Sequence, residues 1–277
     1  MPISSSARTE KTSRLDKKRR FKHCWPTSME YKDLFSKQAL DYSRFRPKYP
    51  SELFDYLAGL CAQRESAWDC GTGNGQAAVE LARRFHKVFA TDPSAKQISN
   101  ATPLKNIEYR KTTAEDSKLA DHSSDLITAA QAFHWFGHER FYAEVRRVTR
   151  GQGVLALWCY GLHKICSQVD QTILKLYQDI LGNYWEKERR MVEDGYRSIA
   201  VPFEEITPPR FLMRATWSIE DLLGYLGTWS ALQSYVSRNG QDPRDEIAED
   251  LKRAWGETAT REIRWDINLR VFRVNPQ

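Results

Sequence analysis

No apolar run in the 277 residues approaches the ~20 that a membrane-spanning helix requires, and no apolar stretch follows the N-terminal charges as a secretory signal would. The cysteines are five, an odd number, at positions 24, 61, 70, 159 and 166, and none is paired in a CxxC spacing. That pattern argues against a disulfide framework and against a zinc site, and it fits reduced thiols in a cytoplasmic protein. His134 and His138 stand four apart, but the Trp-Phe-Gly between them lacks the glutamate of H-E-x-x-H, so no metal is expected. Internal repeats are absent. So is any charge excess in the body of the chain. The formal net charge is +6, yet residues 1–23 carry eight Lys or Arg against two acids, which leaves the remainder neutral. A neutral body without a basic stripe excludes the usual electrostatic footprint of a nucleic-acid binder. The basic, Ser- and Thr-rich residues 1–28 are expected to be a disordered tail. Residues 29–277, with 41% hydrophobic content overall, are long enough for one α/β domain.

What the body does contain is a sequence of strand, glycine turn, helix and strand. Residues 66–76, Ser-Ala-Trp-Asp-Cys-Gly-Thr-Gly-Asn-Gly-Gln, close a short apolar segment on Asp69 and then alternate Gly71, Gly73 and Gly75. A second apolar run, Val88 to Thr91, stops at Asp92. This is the spacing of a nucleoside-binding βαβ unit, in which glycines permit a tight turn and close ligand approach, and an acid at the tip of the second strand accepts hydrogen bonds from ribose hydroxyls. Gln76 occupies the place of the third glycine of the dinucleotide fingerprint G-x-G-x-x-G. With Asp69 just before the turn, the pattern suits a positively charged ligand better than a pyrophosphate. A nicotinamide-dependent oxidoreductase is the weaker alternative, and Asp92 could instead be a helix N-cap.

Around this unit, hydrophobic periodicity predicts helices over 33–42, 51–62, 76–85, 138–149 and 218–238, with one or two more in 164–200. Strands are predicted to end near Asp69 and to cover 87–91, 107–111, 125–130, 154–159, 211–217 and 263–273. Alternating strands and helices imply a mostly parallel sheet with right-handed crossovers.

The segment Asp69 to Gly75 resembles the first motif of the class I S-adenosylmethionine-dependent methyltransferases, of the methyltransferase type 11 kind. Three further segments resemble one small-molecule branch of that family, typified by trans-aconitate methyltransferase-like proteins. They are Tyr42-Ser43-Arg44-Phe45-Arg46-Pro47-Lys48-Tyr49-Pro50, then Ala130-Gln131-Ala132-Phe133-His134-Trp135-Phe136, and a C-terminal set with Tyr225 to Ala231, Gly240 to Pro243 and Ile263 to Trp265. The resemblance implies a Rossmann-like, seven-stranded, mostly parallel sheet flanked by helices, with an antiparallel C-terminal edge strand and a helical insertion at about 162–210 on the substrate side.

It also implies S-adenosylmethionine as cofactor and a small-molecule acceptor, expected to be acidic and methylated at oxygen; the oligomeric state is left open, with a monomer favoured. Tyr42, Arg46, Asp69, Gly71, Thr72, Gly73, Gly75, Gln76 and Asp92 would hold the cofactor. Ala114 and Glu115 would sit at its adenine, and Gln131 at its methionine moiety. Arg44, Tyr49, Trp135, Trp229 and Tyr235 would face the acceptor, and His134 would either line the pocket or act as a general base. Arg44 and Arg46 could bind a carboxylate as a fork. Cys70 reads as a small filler in the turn. Arg150-Gly151-Gln152-Gly153 departs from the family's more usual Lys-Pro-Gly-Gly, and Pro93 follows Asp92, so a catalytically silent binding protein is the other alternative.

Overall fold

The computed structural model describes residues 45–275. The expected tail, the expected helix over 33–42, and Tyr42 and Arg44 lie outside the described residues. Helix α1 (Ser51–Gly59) follows Pro50, whose fixed φ suits a helix start. It buries Leu53, Phe54 and Leu57. Strand β1 (Ser66–Cys70) is wholly buried and leads through the glycine turn into α2 (Gln76–Ala82) and β2 (Lys87–Thr91). Helix α2 stops short of the predicted Phe85. The Arg84 guanidinium takes the Glu80 carbonyl at 2.8 Å, and the Arg84 N–H turns to Leu81 instead of continuing the helical ladder.

The chain continues through α3 (Ala95–Ser99), β3 (Ile107–Arg110), β4 (Ser124–Ala130), α4 (His138–Val148) and β5 (Thr149–Tyr160). Strands β1 to β5 pair in parallel in the order β3-β2-β1-β4-β5, which requires helical crossovers on the sheet faces. Alternation within β1 divides the core between those faces. Ala67 joins α1 and α2, whereas Trp68 and Cys70 join Phe141, Val145 and Val148 of α4. The buried Trp68 indole donates to Thr91 Oγ1 at 2.9 Å, so its one polar group is satisfied.

After β5 come α5 (Ser167–Lys175), a five-residue π-helical turn over Leu176–Ile180, α6 (Arg189–Glu193), β6 (Glu204–Ile206) and β7 (Phe211–Trp217). The predicted helix 218–238 is two helices, α7 (Ile219–Gly227) and α8 (Ser230–Asn239). Thr228 Oγ1 and the Gln233 amide each take a carbonyl at the end of α7, at 2.7 Å, and close it there. Helix α9 (Ala248–Trp255) precedes the 14-residue β8 (Arg261–Val274).

The seven expected strands are all present, and β6 is an eighth. Three residues with two glutamates carry no periodicity that would have revealed it. The C-terminal strand β8 is the antiparallel one, but it does not lie at the edge. It pairs with β5 on one side and, because it is so long, with both β6 and β7 on the other. No helix among the described residues is long and apolar enough to cross a membrane.

The departure at Arg150 has a structural role. Asp125, at the start of β4, accepts the N–H groups of Glu65 and Ser66 at 2.9 Å, and Arg150 pairs with the same carboxylate at 2.9 and 3.1 Å. This ties β1, β4 and β5 together at the end remote from the glycine turn.

Near β8 the core holds His163 among Tyr225, Trp229 and Trp265, with no hydrogen-bond partner on either ring nitrogen. Burial pushes its pKa down to about 4. Between that value and the ordinary 6.5 the unfolded chain binds the extra proton, so this site removes stability as the pH falls through 6.5, levelling off below 4. A His163→Phe variant should lose that slope. Relative to wild type it should gain on the order of 3 kcal/mol between pH 7.5 and pH 4 in urea denaturation. Parallel pH profiles for the two proteins would refute the assignment.

Candidate active site

The glycine turn is held by two carboxylates, one from each of two neighbouring strands. Asp69, at the end of β1, is fully buried and accepts from Thr72 Oγ1 at 2.6 Å and Thr128 Oγ1 at 2.7 Å. Burial pushes its pKa up to about 6, and the hydrogen bonds from Thr72 and Thr128 work against that rise. Asp92, just beyond β2, accepts the Gly73 N–H on Oδ2 at 2.9 Å and the Ser94 N–H on Oδ1 at 2.8 Å. Asp92 is therefore not the cap of α3. Ser94 takes that role, accepting from the Gln97 N–H.

The glycines of the turn are not equivalent. Gly71 and Gly73 both have positive φ, at 63° and 57°. A Cβ at Gly71 would lie 2.6 Å from the Ala132 Cβ, so that glycine lets the loop after β4 pack on the turn. A Cβ at Gly73 would meet nothing within 4 Å, and it stands at the margin of a cavity. A ligand can approach the backbone there without obstruction.

The cavity has a volume of about 650 Å³, within the ~300–1,000 Å³ of typical small-molecule sites. It lies at the carboxyl ends of β1, β2, β4 and β5, where open parallel sheets bind ligands. Of the expected cofactor residues, Arg46, Gly71, Thr72, Gly73, Gln76, Asp92, Ala114, Glu115 and Gln131 line it. Asp69 does not reach it, because its oxygens are spent beneath the turn. Gly75 is also outside the lining. Its would-be Cβ position is covered by the Tyr109 hydroxyl at 2.5 Å. Glu115 Oε1 accepts the Gly137 N–H at 2.6 Å, and Asp116 pairs with Lys118.

Gln131 has a positive φ of 54° and its amide spans the ends of β4 and β5. Nε2 donates to the Tyr160 carbonyl at 3.2 Å, and Oε1 accepts the Tyr160 N–H at 2.9 Å. Cys70 is buried, with its thiol pushed far up by burial, as a filler would be.

Of the expected acceptor-side residues, Tyr49, Trp135, Trp229 and His134 line the same cavity. Tyr235 does not; its hydroxyl donates to Glu246 at 3.1 Å on the outside of α8. Arg46 donates to the Tyr160 hydroxyl at 2.9 Å and lies 5.6 Å from the Tyr225 ring centroid. His134 is buried, with Nδ1 2.8 Å from the Tyr196 hydroxyl, and burial together with nearby Arg189 pushes its pKa down to about 3. Among the described residues, no group of three or more His, Cys, Asp or Glu side chains could hold a metal ion.

Sequence reasoning missed Arg140, Tyr160, Trp185, Glu186, Glu188 and Arg189, which also line the cavity. No motif marks them. The only signal was the aromatic and charged run from Tyr184 to Arg190 inside the expected insertion.

Known proteins resemble the chain in sequence and fold. The family profile of a methyltransferase domain matches residues 68–157. A Dictyostelium discoideum protein provisionally named a methyltransferase is 37% identical over 253 residues, covering 90% of this chain and 96% of its own length. A Saccharomyces cerevisiae protein, a probable S-adenosylmethionine-dependent methyltransferase by name, is 25% identical over 78% of this chain and 87% of its own. The solved structure of a type II methyltransferase, provisionally so named, from Anaeromyxobacter dehalogenans is 41% identical. It covers 84% of this chain and 99% of its own, with a TM-score of 0.79.

The two glycines should separate stability from binding. Gly71→Ala combines a left-handed backbone penalty with overpacking against Ala132 and should cost about 2–4 kcal/mol in urea denaturation. Gly73→Ala carries the backbone term alone, about 1–2 kcal/mol, yet should weaken S-adenosylhomocysteine binding by calorimetry. Equal stability losses, or unchanged affinity in Gly73→Ala, would contradict this division.

Proposed function

The chain belongs to the class I S-adenosylmethionine-dependent methyltransferases, and we propose that it methylates a small acidic molecule at a carboxylate oxygen. The observation that carries this reading is that the glycine turn and the aromatic wall of Tyr49, Trp135, Trp185 and Trp229 border one and the same cavity. A cofactor seated on the turn and an acceptor seated against that wall would share one cavity.

The residues present fit the cofactor. Gly73 leaves the backbone open to it, and Asp92, at the tip of β2 and on the cavity lining, would accept from the ribose. Ala114 and Glu115, on the cavity lining, would form a wall for the adenine, and Arg46 and Gln131, also on the lining, would face the amino-acid end. Bound S-adenosylmethionine supplies a methyl group on a positively charged sulfur, open to in-line displacement.

The protein's share is orientation and exclusion of water, and near-attack placement is worth as much as ~7–11 kcal/mol. The aromatic side chains present rigid, apolar surface, which keeps water from the reacting atoms. His134 stays neutral throughout the physiological range, and its Nδ1 is engaged by Tyr196, so it suits lining and orienting better than removing a proton. A carboxylate acceptor, already ionised at neutral pH, needs no base. The four described cysteines are free, which suits a reducing, cytoplasmic setting. Residues 45–275 would work as one domain, with the 162–210 segment shaping the acceptor side.

The test is calorimetry with S-adenosylhomocysteine, followed by transfer of labelled methyl to a panel of carboxylic acids, phenols and amines. The wild type should bind, and Asp92→Asn should bind about tenfold more weakly for the loss of a charge-assisted ribose contact. The labelled product should be an ester that releases methanol in mild alkali. An alkali-stable product would point to a phenol oxygen, nitrogen or carbon and overturn the carboxylate reading.

A further inference from the structure

The acceptor end of the cavity contains a cation whose plane is set by its neighbours. Arg189 opens α6, half-buried, with its guanidinium carbon 4.7 Å from the Trp185 ring centroid and 5.4 Å from that of Tyr177. Its Nε donates to the Tyr177 hydroxyl at 2.8 Å, and that hydroxyl donates to Glu193 Oε1 at 2.5 Å. The relay consumes Nε and leaves the two terminal nitrogens, the fork that meets a carboxylate in bidentate fashion. Among the described residues, this hydrogen bond to Tyr177 is the only one the Arg189 side chain makes, and no carboxylate forms an ion pair with it.

The second element is the histidine beside it. The Tyr196 hydroxyl is fully buried, and burial raises its pKa well above the ordinary value, so it keeps its proton and has it to donate to His134 Nδ1, 2.8 Å away. With Nδ1 accepting, the neutral ring carries its own proton on Nε2. Tyr196 reaches this position from a backbone φ of +62°, which an aromatic residue rarely adopts. The Tyr196 N–H bonds the Met191 carbonyl at 2.8 Å, and Arg270 Nη1 bonds the Tyr196 carbonyl at 2.7 Å, together holding that conformation. Backbone strain maintained by the surrounding structure is characteristic of residues that position a site.

We propose that Arg189 and His134 form a two-point clasp for the carboxylate of the methyl acceptor, with Tyr196 as the positioning residue that keeps His134 an Nε2–H donor. The clasp rests on the assignment of this end of the cavity to an acidic acceptor. Arg189 supplies the fork and the charge, and His134 supplies a neutral N–H of fixed direction. Glu186 and Glu188, on the segment that leads to Arg189, also line the cavity, so the clasp would hold a single carboxylate rather than a polyanion.

The test uses full-length protein labelled with ¹⁵N-histidine and saturated with S-adenosylhomocysteine, with acetate as the bare carboxylate probe. Long-range ¹H–¹⁵N spectra should show His134 unprotonated at Nδ1 and protonated at Nε2, and acetate should shift the Nε2–H signal saturably. Arg189→Gln should abolish that shift while leaving S-adenosylhomocysteine affinity within about twofold. Arg189→Lys, which keeps the charge without the fork, should weaken acetate about tenfold. Tyr196→Phe should unfold cooperatively and redistribute the proton between the two ring nitrogens. A proton on Nδ1 in the wild type, no saturable acetate shift, or a shift that survives Arg189→Gln would each overturn the clasp. Absence of S-adenosylhomocysteine binding, read separately by calorimetry, would instead sink the cofactor assignment beneath it.

Discussion

Two carboxylates at the ends of adjacent parallel strands hold the turn on which the site is built. Asp69 from β1 binds Thr72 from below, and Asp92 from β2 binds the Gly73 N–H from the side. A turn with φ near 60° at alternate residues would otherwise be free to open, since glycine has more conformations to lose than any other residue. The parallel register that sets Asp69 beside Ala90, and Cys70 beside Thr91, brings both acids to the same edge of the sheet. Thr128 from β4 completes the arrangement by donating to Asp69, so three strands agree on the position of one loop. The cost is a buried carboxylate with a raised pKa, offset by its hydrogen bonds.

The opposite wall of the cavity has a different physical character. It is assembled from the ends of β4 and β5, the segment from Trp185 to Arg189, and the junction of α7 and α8. Its parts are held by aromatic contacts, such as Trp185 on Trp229 at 5.6 Å and Tyr177 on Trp229 at 5.7 Å. Such contacts give a rigid, apolar surface with a few polar groups placed in it. That division suits an enzyme whose cofactor carries the chemistry and whose acceptor side must select and orient. The long strand β8 contributes indirectly. By pairing with β5, β6 and β7 at once, it fastens the chain on either side of the acceptor-side helices to the same sheet.

Most strands were legible because each is a short apolar run bounded by turn residues. Strands β2 and β7 occupy the predicted residues, while β5 and β8 extend beyond them. Strand β6, three residues long, and α3, five, carry no periodic signal; α9 also escaped, although Ile247, Leu251 and Trp255 recur at helical spacing and are buried. Helix ends escaped for another reason. Side chains decided them, as when Arg84 takes the Glu80 carbonyl and Thr228 takes that of Tyr225. Asp69 and Gly75 belong to the motif and yet lie outside the lining, because a motif records what the turn needs as well as what a ligand touches.

The sequence by itself determined the glycine-turn side of the cavity. Its residues are neighbours in the chain, and the spacing from Gly71 to Asp92 is a strand-to-strand distance written in residue numbers. Only the tertiary structure decided which residues of the insertion complete the opposite wall beside Tyr49, Trp135 and Trp229. Arg189 lines the same cavity as His134 from more than fifty positions away, and Tyr196 reaches back to the His134 ring from a strained turn. Long-range packing of that kind leaves no local pattern, because the contacts depend on how helices from an insertion settle against the sheet. The same physics that makes the glycine turn readable, short range and fixed register, is what the acceptor pocket lacks.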